Sequence, residues 1–216
     1  MAAPVSPCRS LSWEAMPMTR PTYTALTNTQ FLLAESSQVA QALLEGADWA
    51  LLRRAAQEGR LFGRGRASSQ LTVLTALRGR FHEVPREVLP ELAAGTLEAR
   101  RLLVLGMITR RKPLLRDFIG QVLLHQWQRL APRVTDADAR AFLTHQAEQH
   151  PEVATWSPAT QQKTRGNLTR FLVDAGLLKE SRQGEFEILP QYLSPQVRAA
   201  VHDLDPHLPV LLEALK

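Results

Sequence analysis

The residues best suited to chemistry sit together on one segment: Ala159, Gln162, Lys163, Gly166, Thr169, Arg170 and Val173. In a helix, at about 100° per residue, they occupy the side opposite Leu168, Phe171, Leu172 and Ala175. The set is small, polar and basic, with no acidic residue before Asp174. Such a face suits the major groove of duplex DNA. Small residues admit close approach, Lys and Arg meet phosphates, and Gln and Thr reach base edges. Arg165 on the same helix and Arg182 just beyond it add positive charge. The competing reading is a solvated helix face, although such faces ordinarily mix both signs of charge. Modules built this way also serve in protein contacts.

A second basic set lies in Arg60–Ala67, RLFGRGRA, followed by Ser68 and Ser69 as candidate helix caps. Arg64, Arg66, Ser68 and Ser69 would stand at a helix N-terminus, whose free N–H groups and positive dipole end suit a phosphate. An exposed loop kept soluble by its arginines explains the same residues equally well. Arg110-Arg111-Lys112 is the densest basic run. Cations at a helix C-terminus complement the dipole, which is a sufficient reason for them; a nucleic-acid contact is the alternative.

Enzyme chemistry finds little support. His82, His125, His145, His150, His202 and His207 are scattered, and His145 and His150 stand about 140° apart on a helix, too far to share a metal. Gly63-Arg64-Gly65 lacks the Gly-Lys-Ser/Thr and the preceding strand of a phosphate-binding loop. The expectation is a protein with no catalytic residues, metal or cofactor.

The elements that must position these residues read clearly. Ser157 caps the key helix, Pro158 opens it and Gly176 ends it. The runs 177–180 and 185–188 flank Ser181-Arg182-Gln183-Gly184, a turn suited to a two-stranded hairpin. A helix followed at once by a hairpin is the outline of a winged helix-turn-helix. Upstream, Asn28 or Thr29 caps a helix to Glu45, and Asp48 caps another over 49–58. Leu71, Leu74 and Leu77 stripe a third, a second helix-turn-helix candidate. Helices follow over 85–93, 96–110 and 114–130, the last with the wide apolar face of a bundle centre. Ala131-Pro132-Arg133 reads as a linker, and Thr135 caps a helix to Gln149. Fragments over 196–202 and 210–215 close the chain. The expected organisation is a disordered leader (1–22, Met18 an alternative start), an N-terminal helical domain (23–133) and a C-terminal winged-helix-like domain (134–216). The class is all-α with a small β-hairpin.

Composition sets outer limits. The 216 residues carry 26 Lys and Arg against 21 acidic residues, a net charge of +5 that favours an anionic partner. The single cysteine, Cys8, can build neither an internal disulfide nor a thiolate metal site, so a reducing cytoplasm is expected. Apolar runs such as Leu102–Ile108 fall far short of the roughly 20 residues of a membrane span.

An ordered series of short fragments then resembles a known family. They are Tyr23-Thr24, Leu32-Leu33-Ala34-Glu35-Ser36, Gly46-Ala47-Asp48-Trp49, Arg66-Ala67-Ser68-Ser69, Lys112-Pro113-Leu114-Leu115-Arg116-Asp117-Phe118, Ala175-Gly176-Leu177-Leu178 and Leu193-Ser194-Pro195. Their order from Tyr23 onward is similar to the BrxA family, small components of BREX bacteriophage-resistance systems. The resemblance implies an all-helical protein, NusB-like in part, that binds double-stranded DNA without catalysis. It would work beside a methyltransferase, an ATPase and a phosphatase-like protein. A protein-interaction adaptor and an RNA-binding antitermination-like protein stay open, as does self-association. Against RNA, aromatic residues are only 6% and form no stacking platform.

Overall fold

The computed structural model describes residues 22–63 and 65–216; all of the leader expected over 1–22 except Thr22, with Cys8 and Met18 within it, and Arg64 lie outside the described residues. The described chain is mainly helical, with one three-stranded antiparallel sheet. From the N-terminus, an irregular strap (22–32) leads to α1 (Leu33–Leu44), α2 (Trp49–Gln57) and α3 (Ala67–Phe81). A 3₁₀ turn (Arg86–Val88) runs into α4 (Leu89–Ala94), followed by α5 (Leu97–Arg111). Then come α6 (Pro113–Phe118) and α7 (Leu124–Gln128), joined by a π-helical stretch (Ile119–Leu123).

Local signals set most of these boundaries. Asp48 accepts the Leu51 N–H at 2.7 Å to start α2, and Thr96 accepts from Ala99 at 3.2 Å to start α5. The start of α1 differs from expectation. Asn28 and Thr29 do not cap it; the helix begins at Leu33 after Leu32 in a left-handed conformation (φ 56°), and Phe31 is buried from the strap. α5 is buried almost all round from Leu102 to Thr109, which makes it the centre of the core.

The second half runs β1 (Arg133–Thr135), α8 (Asp136–Gln149), the single turn α9 (Pro151–Ala154) and α10 (Pro158–Asp174). It continues with β2 (Leu178–Arg182), β3 (Glu185–Ile188), α11 (Pro195–Leu204) and α12 (Leu208–Glu213). Thr135 and Asp138 form a reciprocal capping box at the start of α8. The expected linker at 131–133 meets a strand: Arg133 opens β1, which lies against β3 with Val134 opposite Phe186. The hairpin is therefore part of a three-stranded sheet ordered β1-β3-β2, with β3 in the middle. One buried core runs through both halves, and α11 lies on α5, where the Leu204 Cβ would stand 3.2 Å from a methyl group added at Gly106. A glycine there allows that close approach.

The strap is held from both halves. Its Tyr23 N–H donates to Glu152 at 2.9 Å, and its Leu26 carbonyl accepts from Asn167 at 2.7 Å. The Tyr23 hydroxyl donates to Asp117; burial first, then that carboxylate, pushes the phenol above its usual range.

Loop 58–66 is anchored by a side chain rather than by its glycines. Gln70 is buried, accepts from the Leu61 N–H at 2.9 Å and donates to the Gly59 carbonyl at 2.8 Å. Gln70→Ala should therefore cost about 1–3 kcal/mol, since both backbone groups lose a buried partner. A chemical-denaturation midpoint equal to wild type would show that the loop needs no such anchor.

Candidate nucleic-acid interface

α10 carries most of the expected site, and its sequence explains why it can. The Ser157 hydroxyl accepts the Thr160 N–H at 3.2 Å, with Pro158 in the first helical position. At the far end Gly176 adopts φ 79°; its N–H reaches the Val173 carbonyl at 3.0 Å while Leu177 N–H reaches Leu172 at 2.8 Å. That pair of bonds is a Schellman stop. Leu168, Phe171, Leu172 and Ala175 are buried, as the apolar spacing requires.

The opposite face is exposed at Ala159, Gln162, Lys163, Gly166 and Arg170. These residues and Asn167 line an open depression of about 440 Å³. A methyl group added at Gly166 would meet no atom within 4 Å, so nothing in the fold requires a glycine there. Beside it, Arg140, Thr144, Gln161, Gln162 and Arg165 line a second depression of about 280 Å³ between α8 and α10.

Four expectations need correction or refinement. Thr169 is buried (4% exposed), and its hydroxyl donates to the Gly166 carbonyl at 3.2 Å. The buried stripe is wider than its apolar members define, because a threonine can satisfy its hydroxyl on its own helix and go inside. Arg165 is only 21% exposed and stands 3.9 Å from the Asp136 carboxylate, which draws it toward α8. Arg182 is exposed as the last residue of β2, not within the turn; Gln183 and Gly184 (φ 77°) make that connection. At α3 neither serine is the cap: Arg66 holds that position without a side-chain bond, and Ser68 and Ser69 are exposed in the first turn.

Two groupings escaped the sequence reading. Asn167 edges the depression and ties α10 to the strap. Arg80, Arg111 and Lys112 share a cleft beside the same strap. Lys112 belongs to a run of cations legible in the sequence, whereas Arg80 arrives from α3 and no spacing links it to them. Among the described residues no three His, Cys, Asp or Glu side chains gather as a metal site would need. No helix among them is long and apolar enough to cross a membrane.

The BrxA family model matches residues 22–205. The chain belongs to the BrxA family. Two proteins named BREX protein BrxA are similar to it. One, from Bacillus cereus, is 30% identical over 45% of this chain and 48% of the relative. The other, from Escherichia coli, is 22% identical over 59% of each. The chain thus spans about half the length of the first of these relatives and under two thirds of the second. A crystal structure of an uncharacterized protein from Magnetospirillum magneticum has the same fold. Its TM-score is 0.74 at 20% identity, over 91% of this chain and all of the other. This member of the family is thus a helical body carrying one small sheet.

Proposed function

We propose that this BrxA protein is a non-enzymatic DNA-binding component of a BREX phage-defence system, gripping duplex DNA through α10. Its partners are then double-stranded DNA and the other BREX proteins, in the cytoplasm. One observation carries the reading: the exposed side of α10 joins Lys163, Arg170 and Gln162 around a residue with no side chain, with no acidic group among them. A groove-entering helix needs that combination of donors, charge and close approach.

The surrounding order supports it. α8, a single turn, α10 and the β2–β3 hairpin, with β1 laid against β3, follow the winged-helix plan. In that plan α10 is the reading helix and the hairpin is the wing, so exposed Arg182 and Lys179 would meet the phosphate backbone beside it. Exposed Arg66, Ser68 and Ser69 at the start of α3 form a second surface for backbone phosphates.

Duplex, single-stranded DNA and structured RNA, each titrated at two salt concentrations, test the proposal. Duplex should bind best, with affinity falling steeply as salt rises. Absence of duplex binding at low salt would favour a protein adaptor, and preference for RNA an antitermination-like role.

Gly166 supplies an independent check. Gly166→Ala should stabilise the fold by about 0.5–1 kcal/mol, because alanine is the better helix former and meets nothing. The same methyl should weaken duplex binding. A variant that melts higher and binds equally well would show that DNA does not approach there.

A further inference from the structure

Where the strap crosses the ends of α3 and α5, a cleft of about 220 Å³ is lined by Arg80, Arg111, Lys112, Thr75, Asn28 and Thr29. Three cations meet in it, and their hydrogen bonds run to neutral oxygens. Arg80 donates to the Phe31 carbonyl at 2.8 Å and to that of Gln30. Arg111 donates to the Gly79 carbonyl, and Lys112 Nζ to Thr24 Oγ1 at 2.6 Å and the Ala25 carbonyl at 3.5 Å. Carbonyls orient these groups but do not cancel their charge. Among the described residues none of the three makes an ion pair, whereas neighbouring Arg110 pairs with Glu83 at 2.8 Å and Arg116 stands 3.4 Å from Asp205. Burial lowers Arg80 to about 10 with Arg111's charge adding to the effect, and the same two causes lower Lys112. Like charges held together in a concave, partly buried place attract an anion.

We propose that this cleft is a phosphate-binding site, with Arg80, Arg111 and Lys112 around one phosphate group. Arginine's fork suits phosphate oxygens, and lysine adds a point charge. The structure also suggests whose phosphate it is. Lys112 holds the Ala25 carbonyl and Asn167 of α10 holds that of Leu26, at 2.7 Å, so consecutive strap residues link the cleft to the α10 depression. On that linkage, the phosphate assigned to the cleft is a backbone phosphate of a duplex lying on α10. That assignment rests on the DNA reading of α10; the phosphate site itself does not.

The test titrates inorganic phosphate against sodium chloride of matched ionic strength, following melting temperature and heat of binding. Wild type should gain stability with phosphate beyond that given by chloride. Arg111→Ala and Lys112→Gln should each weaken phosphate binding by about tenfold or more, and Arg110→Ala should leave it unchanged. No advantage of phosphate over chloride, or an equal loss in Arg110→Ala, overturns the site. Melting of each variant without phosphate registers any role in fastening the strap, so a folding defect is not mistaken for lost binding. With duplex DNA, Arg111→Ala should lower the salt slope by about 0.9. An unchanged slope, with phosphate binding still lost, overturns the backbone assignment and supports a free phosphomonoester, for which adenosine monophosphate is the probe. Should Lys163→Ala/Arg170→Ala keep full duplex affinity while phosphate still binds, the α10 reading fails and the cleft stands.

Discussion

Lys163→Ala combined with Arg170→Ala should weaken duplex binding by roughly tenfold to a hundredfold near 0.1 M salt, while leaving the protein folded. Each lysine or arginine on a phosphate releases about 0.9 of a counterion, so the slope of log K against log salt should fall by about 1.8. Both side chains are exposed, and among the described residues neither forms an ion pair whose loss would disturb the fold. Arg170 does hold down the titration of Asp174 one turn on, against the rise caused by its burial. Removing it should raise that carboxylate further, a small destabilisation that is fully present at neutral pH and disappears as the carboxylate is protonated in acid. Fluorescence anisotropy with a labelled duplex at several salt concentrations gives both numbers. A folded double variant with wild-type affinity and slope would move the contact surface off α10.

Phe171→Ala should produce the second large effect, a loss of about 3–5 kcal/mol of folding stability. Phe171 is 2% exposed on the side of α10 that faces the body, and no small side chain could fill the space it leaves. Because that loss is a sizeable fraction of the roughly 5–15 kcal/mol that holds a domain folded, the variant should melt many degrees lower. A thermal scan overlapping wild type would mean that the ring is not part of the packing. The two predictions concern opposite sides of one helix: one should remove binding and spare stability, the other the reverse.

That contrast was legible in the sequence because helix ends and helix faces are local. Thr96, Thr135, Ser157 and Gly176 mark their boundaries through bonds spanning three to five residues, and the stripe at 168, 171, 172 and 175 follows from the helical period alone. What stayed hidden depends on distant partners. Arg133-Val134-Thr135 is too short to announce a strand; it becomes one by pairing with β3, about fifty residues on. Leu32 gives no sign that it will turn left-handed, nor Thr169 that it will be covered. The phosphate cleft was invisible for the same reason: Arg80 and Arg111 come together only when α3 and α5 do.

The short first strand limits how the protein can be divided. A fragment beginning at 136 would keep α8, α10 and the hairpin but strip β1 from β3, baring a row of backbone donors and acceptors. Such an unguarded edge invites the same edge of another molecule. Self-association seen in that fragment would then be an artefact of the cut, not a property of the native protein, and DNA affinity measured on it would be inflated by avidity.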